Sequence, residues 1–279
     1  MKTKKRLQGV TLDTGGADLK VGGVMYGMSR DKLGATTVAG FFKTLEQLKP
    51  KGIKCIGFLC MVRNSIGPES YTCDEILTAR QVYTSGKRVR VVNTDAEGRM
   101  AMADALCHAK EIALSMDGAA SDRTHLYTVA TLTGHAALTV GEGYSLVMDN
   151  GPARKRHSAE QLRAAGDAIG DMVEISRIQR EDYDFHREVT EYAELRQSNT
   201  APSSRTPRGH ITPAAFLIMV SGLEAHDSES ERPLAFSHVD MADAEGEQLH
   251  VPQGRPLMAL LARHVLPRCT GSASDATAI

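Results

Sequence analysis

The sequence predicts an α/β fold with a mixed, largely buried central sheet flanked by helices. Three observations predict it. Strand-like and helix-like stretches alternate through most of the chain. Cys55 to Val62 is a continuous apolar run of strand length, the pattern of a strand covered on both faces. Apolar residues make up 42 % of the 279 residues, enough to fill a substantial core, and no linker-like stretch divides them, which favours one domain.

Taken in order, Lys2 to Gln8 is charged and is expected to lack a strand of its own. Val10 to Asp13 reads as a short strand end, stopped by Thr14-Gly15-Gly16. Between Asp31 and Leu48, the residues Val38, Phe41, Phe42, Leu45 and Leu48 recur at helical spacing, with Ser29 placed as a cap. The run Cys55 to Val62 should lie centrally in the sheet. Beyond Gly67-Pro68, Ile76 to Val82 and Val89 to Val92 flank Ser85-Gly86-Lys87 as a hairpin. Met100 to Leu114 then follows as a helix with Ala103, Leu106, Ala109 and Ala113 on one side. His125 to Thr131 and Tyr144 to Met148 read as strands, and Arg154 to Ala165 and Glu181 to Leu195 as helices with solvated charged faces. Ser198 to His210, punctuated by Pro202, Pro207 and Gly209, is a loop long enough to be functional. Thr212-Pro213 opens an apolar helix to Leu223. Leu234 to Asp240 is a final strand, Pro256 opens a last helix ending near Leu266, and Thr270 to Ile279 reads as a disordered tail.

Composition narrows the function classes. Lys+Arg at 33 against Asp+Glu at 34 leaves no basic excess to bind a phosphate backbone, which argues against nucleic acid as a main ligand. No apolar run reaches the roughly 18 residues of a membrane span, and Met1 to Leu7 is basic with no apolar segment behind it. A soluble, cytoplasmic protein is therefore expected. The five cysteines form no C-x-x-C pair and are odd in number, so they read as reduced thiols.

The chemistry concentrates in Asn93-Thr94-Asp95-Ala96-Glu97-Gly98-Arg99, a turn entering a helix with two carboxylates and a guanidinium at alternate positions. Acids that close repel unless a cation sits between them, and oxygen ligands suit a divalent metal. Thr94-x-x-Glu97 is equally a capping-box pattern, which would explain those two residues and leave Asp95 and Arg99 without a reason. A metal site needs further acids, and Asp13 and Asp31 in the opening segment are the candidates. Each alone reads as well as a turn or first-turn acid. Lys20 between them would ordinarily be a solvated surface group.

Together these strings resemble the leucine aminopeptidase, or cytosol aminopeptidase, family. The likeness rests on Asn93 to Arg99, on Asp13-Thr14-Gly15-Gly16 with Lys20 seven residues on and Asp31 eleven further, and on Thr131-Leu132-Thr133-Gly134. Gly27 to Lys32, Met148 to Pro152 and Ser203 to Arg208 resemble an aminopeptidase-like branch of that family. The resemblance implies a zinc-peptidase-like three-layer sandwich, with residues 1–269 as a metallo-aminopeptidase catalytic domain and 270–279 as its tail. It implies a peptide substrate and two divalent ions, Zn²⁺, Mn²⁺ or Mg²⁺. Asp13 would bridge both ions, Asp31 would bind one, and Asp95 and Glu97 would complete the cage. Lys20 would polarise the scissile carbonyl, and Arg99 would hold a bicarbonate acting as general base. Met28, Thr131, Leu132 and Gly134 fall where the family builds the pocket for the first side chain. A homohexamer is implied as well.

Two departures bear on activity. Five residues before Asp13, where the family has a metal-binding lysine, stands Gln8, a weaker and harder donor that would favour Mn²⁺ or Mg²⁺. The family's amino-terminal domain and first strand are also expected to be missing ahead of Gly9. These departures leave a second reading, a catalytically impaired homologue acting as an assembly subunit or binding scaffold. A histidine metalloprotease is excluded, because there is no H-E-x-x-H and His108, His125 and His135 are not spaced as paired ligands on one helix face. His135 reads as a packed or pocket-lining residue.

Overall fold

The computed structural model describes residues 2–79, 86–118, 123–241 and 254–269, the side chains of residues 2–8 excepted. In chain order the strands are β1 (Lys2–Asp13), β2 (Lys54–Asn64), β3 (Ile76–Thr78), β4 (Arg88–Arg90), β5 (Thr124–Ala130), β6 (Ser145–Asp149), β7 (Val173–Ile175), β8 (Leu195–Arg196) and β9 (Ala235–Asp240). The longer helices are α1 (Leu33–Leu48), α2 (Glu97–Leu114), α3 (Gly134–Val140), α4 (Ser158–Asp167), α5 (Thr212–Val220) and α6 (Leu257–His264).

The main sheet has the order β2-β1-β5-β9-β6-β7, and a small one runs β3-β4-β8. All neighbours in the main sheet are parallel except β6 against β9. Every residue of β5, β6 and β9 is buried, because side chains alternate between two covered faces. On one face Leu126, Leu146, Met148 and Phe236 pack against Met102 and Leu106 of α2 and Ala214 and Leu217 of α5. On the other, Tyr127, Val129, Val147 and Val239 pack against Phe41 of α1, Leu162 of α4 and Leu260 of α6. The result is the expected sandwich of helices, sheet and helices.

The structure corrects five local expectations. Lys2 to Gln8 does form a strand, as part of β1: its backbone is paired to β2 from Lys2 opposite Lys54 onward and to β5 up to Leu7 opposite Val129. Ladder pairing on both sides overrides a charged composition. The apolar run Cys55 to Val62 lies in β2, at the sheet edge with β1 as its partner, and Leu59, Met61 and Val62 are exposed. Its composition reports an apolar strand, but strand order decides which strand is central. Glu181 to Leu195 is not a helix. A single turn, Arg180–Asp184, is followed by a loop whose Glu188 and Glu194 pair with Arg90 and Arg88 at 3.2 and 2.9 Å, tying it to β4. The helix expected over Arg154 to Ala165 is broken at His157 (φ 52°) into Gly151–Lys155 and α4. Ser29 does not cap α1 either; it lies in the 3-10 turn Met28–Arg30, and the helix begins at Leu33.

β3 and β4 pair antiparallel, as the hairpin reading expects, while the link 80–85 and the tail 270–279 lie outside the described residues. No disulfide joins any of the five cysteines.

Candidate active site

Several parallel strands deliver their carboxyl ends to one place. β1 ends at Asp13, which stands in register with Asn64 at the end of β2. β5 runs on into Thr131 to Gly134, and β9 ends at Asp240. Clefts at this end of an open α/β sheet are where such folds place ligands. Here a cavity of about 310 Å³ opens, lined among others by Asp13, Lys20, Asp31, Asp95, Glu97 and Arg99.

The turn that carries Asp95 and Glu97 is not a capping box. Ala96 holds the N-cap position of α2 and no side chain caps it. The Thr94 hydroxyl donates to Gly15 O at 2.5 Å and accepts from the Asp18 N–H at 2.8 Å, while the Thr94 N–H donates to the Asp18 carboxylate at 2.7 Å. This clasp draws the Gly15-Gly16 turn onto the signature so closely that a Cβ on Gly15 (φ 86°) would stand 3.0 Å from the Asp95 carboxylate, and one on Gly16 (φ 68°) 3.0 Å from the Thr94 hydroxyl. From the far side the buried Gln197 accepts from the N–H groups of Val92 and Asn93 at 3.2 and 3.1 Å. Its side-chain amide donates to Ala96 O at 2.9 Å, and its own carbonyl accepts from Arg99 at 3.1 Å. Glu97 and Arg99, on the first turn of α2, are thereby fixed in the buried cavity wall.

Asp13, Asp95 and Glu97 each present a carboxylate oxygen within 4.8 Å of the others. The Lys20 ammonium lies 3.0 Å from Asp13 and 2.5 Å from Asp95. Burial works against that charge, but the two carboxylates prevail and hold Lys20 above its ordinary value. Glu97 is pushed well up, first by burial and then by Asp13, Asp31 and Asp95. Asp31 is also pushed well up by burial, with the Thr131 hydroxyl donating to it at 2.8 Å. Asn64 stands among the acids. Its side-chain amide donates to Asp13 at 2.8 Å, to Glu97 at 3.3 Å and to Thr94 O at 3.0 Å. Burial lowers Arg99 to about 10, and its Nε has no hydrogen-bond partner among the described residues.

Of the residues the sequence singles out, Asp13, Lys20, Asp31, Asp95, Glu97 and Arg99 meet at this cavity, and Met28, Thr131, Leu132 and Gly134 line it too. The side chain of Gln8 lies outside the described residues. His135 is not among the lining residues. Sequence reasoning missed Asp18, Asn64, Gln197 and Asp240. The last, fully buried, accepts from Leu132 N–H at 3.1 Å and the Thr133 hydroxyl at 2.6 Å, shaping the loop after β5. Asp240 ends a buried strand with a charge, which is the one signal among the four.

The residues fit divalent cations: four carboxylates in one partly buried cavity outnumber the cationic side chains that line it, Lys20, Arg30 and Arg99, and all four carboxylates are oxygen donors.

Comparison with known proteins gives first the class. The fold matches the structure of leucyl aminopeptidase from Trypanosoma brucei in complex with actinonin, with a TM-score of 0.76 and 25 % identity, over 94 % of this chain and 46 % of that one. The family follows from the sequence: residues 8–261 match the cytosol aminopeptidase family, catalytic domain, and the chain belongs to that family. A Caenorhabditis elegans protein named "Putative aminopeptidase W07G4.4" is 52 % identical over 260 residues, covering 93 % of this chain and 48 % of the relative. A "Probable cytosol aminopeptidase" of Chlamydia muridarum is 31 % identical over 249 residues, covering 88 % and 44 %. The chain thus spans about half the length of these relatives. No helix among the described residues is long and apolar enough to cross a membrane.

Proposed function

We propose that this chain is a two-metal aminopeptidase that removes amino-terminal residues from peptides, with residues 1–269 as its catalytic domain. The observation that carries the reading is the cluster of Asp13, Asp95 and Glu97 within 4.8 Å, bridged by Lys20. Asp13, Asp31, Asp95 and Glu97 would hold the ions, Zn²⁺, Mn²⁺ or Mg²⁺, with Gln8 as a further donor. When bound, such ions supply Lewis-acid polarisation of a carbonyl and an acidified water.

The chain's own groups have separable tasks. Lys20 is placed to stabilise negative charge developing on the scissile carbonyl oxygen, because two carboxylates keep its ammonium protonated across the working pH range. Thr131 orients the Asp31 carboxylate, and Asn64 orients Asp13 and Glu97 together. Arg99 spends one guanidinium nitrogen on Gln197 O and keeps Nε for an anion, which supports bicarbonate as the general base there. Met28, Thr131, Leu132 and Gly134 would receive the first side chain of the peptide. The family resemblance extends the proposal to a cytoplasmic homohexamer, which sedimentation of the purified chain tests.

The direct test is hydrolysis of aminoacyl amides by the full chain supplied with Mn²⁺, Zn²⁺ or Mg²⁺. Metal-dependent turnover abolished in Lys20→Ala and Glu97→Ala supports the reading. A correctly folded chain that binds these ions and turns over no aminoacyl amide or peptide overturns it.

A further inference from the structure

Behind the wall of the cavity, two histidines from distant parts of the chain meet. His135 sits in α3 and His210 in the loop before α5. Their Nδ1 atoms are 2.8 Å apart, and the Thr139 hydroxyl lies 3.1 Å from the first and 3.4 Å from the second. Neither imidazole lines the carboxylate cavity, although their chain neighbours Gly134 and Gly209 do. We infer that His135, His210 and Thr139 form a binding site for one borderline transition-metal ion of the Zn²⁺, Ni²⁺ or Cu²⁺ type, separate from the carboxylate cavity.

The three donor atoms are close enough together to share one ion. An ion bound at about 2.0 to 2.1 Å by two imidazole nitrogens at a tetrahedral angle holds them about 3.3 Å apart. The three donor atoms here are separated by 2.8, 3.1 and 3.4 Å, so small side-chain adjustments bring all three into reach of one ion. The second observation is the partner of the other His210 nitrogen. Nε2 lies 2.8 Å from the Ser176 hydroxyl, and a donor bond there leaves the Nδ1 lone pair accepting from His135 Nδ1–H, a proton that would move to His135 Nε2 when an ion takes its place. Such a bond from the non-ligating nitrogen is what fixes the tautomer of a metal-binding histidine.

The surroundings keep both rings neutral, so an ion competes only with the proton the two nitrogens share. Burial, then His135 and Arg208, lower His210 to about 4, and burial lowers His135, so both rings are neutral near pH 7. Arg208, the cation that acts on His210, is engaged by Asp182 through two contacts of 2.8 and 2.7 Å. The nitrogen-rich donor set selects a different kind of ion from the carboxylate cavity, which suits Mn²⁺ or Mg²⁺. An ion here would tie α3 to the loop Ser198 to His210, two segments already joined by the Gly134 N–H donating to Ser203 at 3.1 Å.

The test uses the full chain, stripped of metal and then saturated with diamagnetic Mg²⁺ to fill oxygen-donor sites. Cu²⁺ is titrated in and followed by electron paramagnetic resonance. The expected result is one equivalent bound with hyperfine splitting from two nitrogens. In His135→Gln, whose parent residue is half-buried, that signal should be lost and affinity should fall at least tenfold. His157→Gln, at an exposed histidine, should leave both unchanged. Thr139→Val gives a second variant, expected to weaken binding while keeping the nitrogen splitting. If His135→Gln, folded by circular dichroism, binds Cu²⁺ with the parent's spectrum and affinity, the inference fails, and the histidines share only a proton. The outcome does not depend on peptidase activity.

Discussion

Asp18 and Thr94, 76 residues apart, are hydrogen-bonded in both directions: the Asp18 N–H donates to the Thr94 hydroxyl at 2.8 Å, and the Thr94 N–H donates to the Asp18 carboxylate at 2.7 Å. The pair joins the loop carrying Lys20 to the turn carrying Asp95 and Glu97. Whatever the cavity does chemically depends on that closure.

Thr94→Val removes the hydroxyl and leaves Gly15 O and the Asp18 N–H without their buried partner. Each unsatisfied group costs about 1 to 3 kcal/mol. The variant should lose stability in urea titration by at least that amount, and its turnover should fall while the second readout, Mn²⁺ binding, weakens in step. Unchanged stability would mean the clasp is incidental.

Why one partner of that clasp was legible and the other was not is a matter of range. Thr94 belongs to a contiguous seven-residue string, and Asp13, Lys20 and Asp31 follow one another at intervals of seven and eleven that resemble the family's, so local pattern carries them. Asp18 lies in the same stretch and gives no sign, because its role is set by a residue 76 positions away. Asn64 and Gln197 are equally silent: each is an ordinary polar residue until strand order places it among the acids or against Arg99. The α/β class itself was readable from the alternation of strand-like and helix-like stretches, and the fully buried β5, β6 and β9 match the largely buried sheet expected. What pattern could not supply was position within the sheet, as β2 shows, or competition from tertiary ion pairs, as the loop held by Arg88 and Arg90 shows.

Lys20→Met tests the charge balance of the cavity. The ammonium now lies 3.0 and 2.5 Å from Asp13 and Asp95, the carboxylates an ion would need. Removing it leaves their charge unopposed, so Mn²⁺ affinity measured by calorimetry should rise several-fold. Peptidase turnover should nevertheless fall about 10²-fold or more, since a charge aimed at the developing oxyanion is lost. A variant that loses turnover and Mn²⁺ affinity together would show that Lys20 organises the acids and does not compete with the ion.

Asn64→Asp puts a fifth carboxylate where an amide now donates to Asp13 and Glu97. With chelator present, a buried like charge should cost roughly 3 kcal/mol or more. Saturating Mn²⁺ should recover most of that loss, because the added charge then faces a cation. Thermal unfolding with and without Mn²⁺ measures both. Equal losses in the two conditions would place any ion elsewhere.

His238 makes the acid side of the stability profile testable. It is fully buried in β9, its Nδ1 lies 2.8 Å from the Thr128 hydroxyl, and its Nε2 has no partner among the described residues. Burial, helped by the nearby Arg99 and His210, lowers it to about 3. In the unfolded chain the same ring takes up a proton near pH 6.5. Below that value the unfolded state therefore binds a proton that the folded state refuses, and stability falls as pH drops from 6.5 toward 3, by about 1.4 kcal/mol per unit for this one group. Above 6.5 the ring is neutral in both states and contributes no slope. Asp149 works in the opposite sense: burial raises it to about 6, so it lowers stability as pH rises from near 4 to 6. Parent and His238→Gln must accordingly be compared at each pH and not by their optima. Urea titrations from pH 7.5 to 4.5 should give the variant a shallower acid limb, by close to one proton per molecule. Parallel limbs would mean that His238 is protonated in the folded state, and that the core around β9 tolerates the charge.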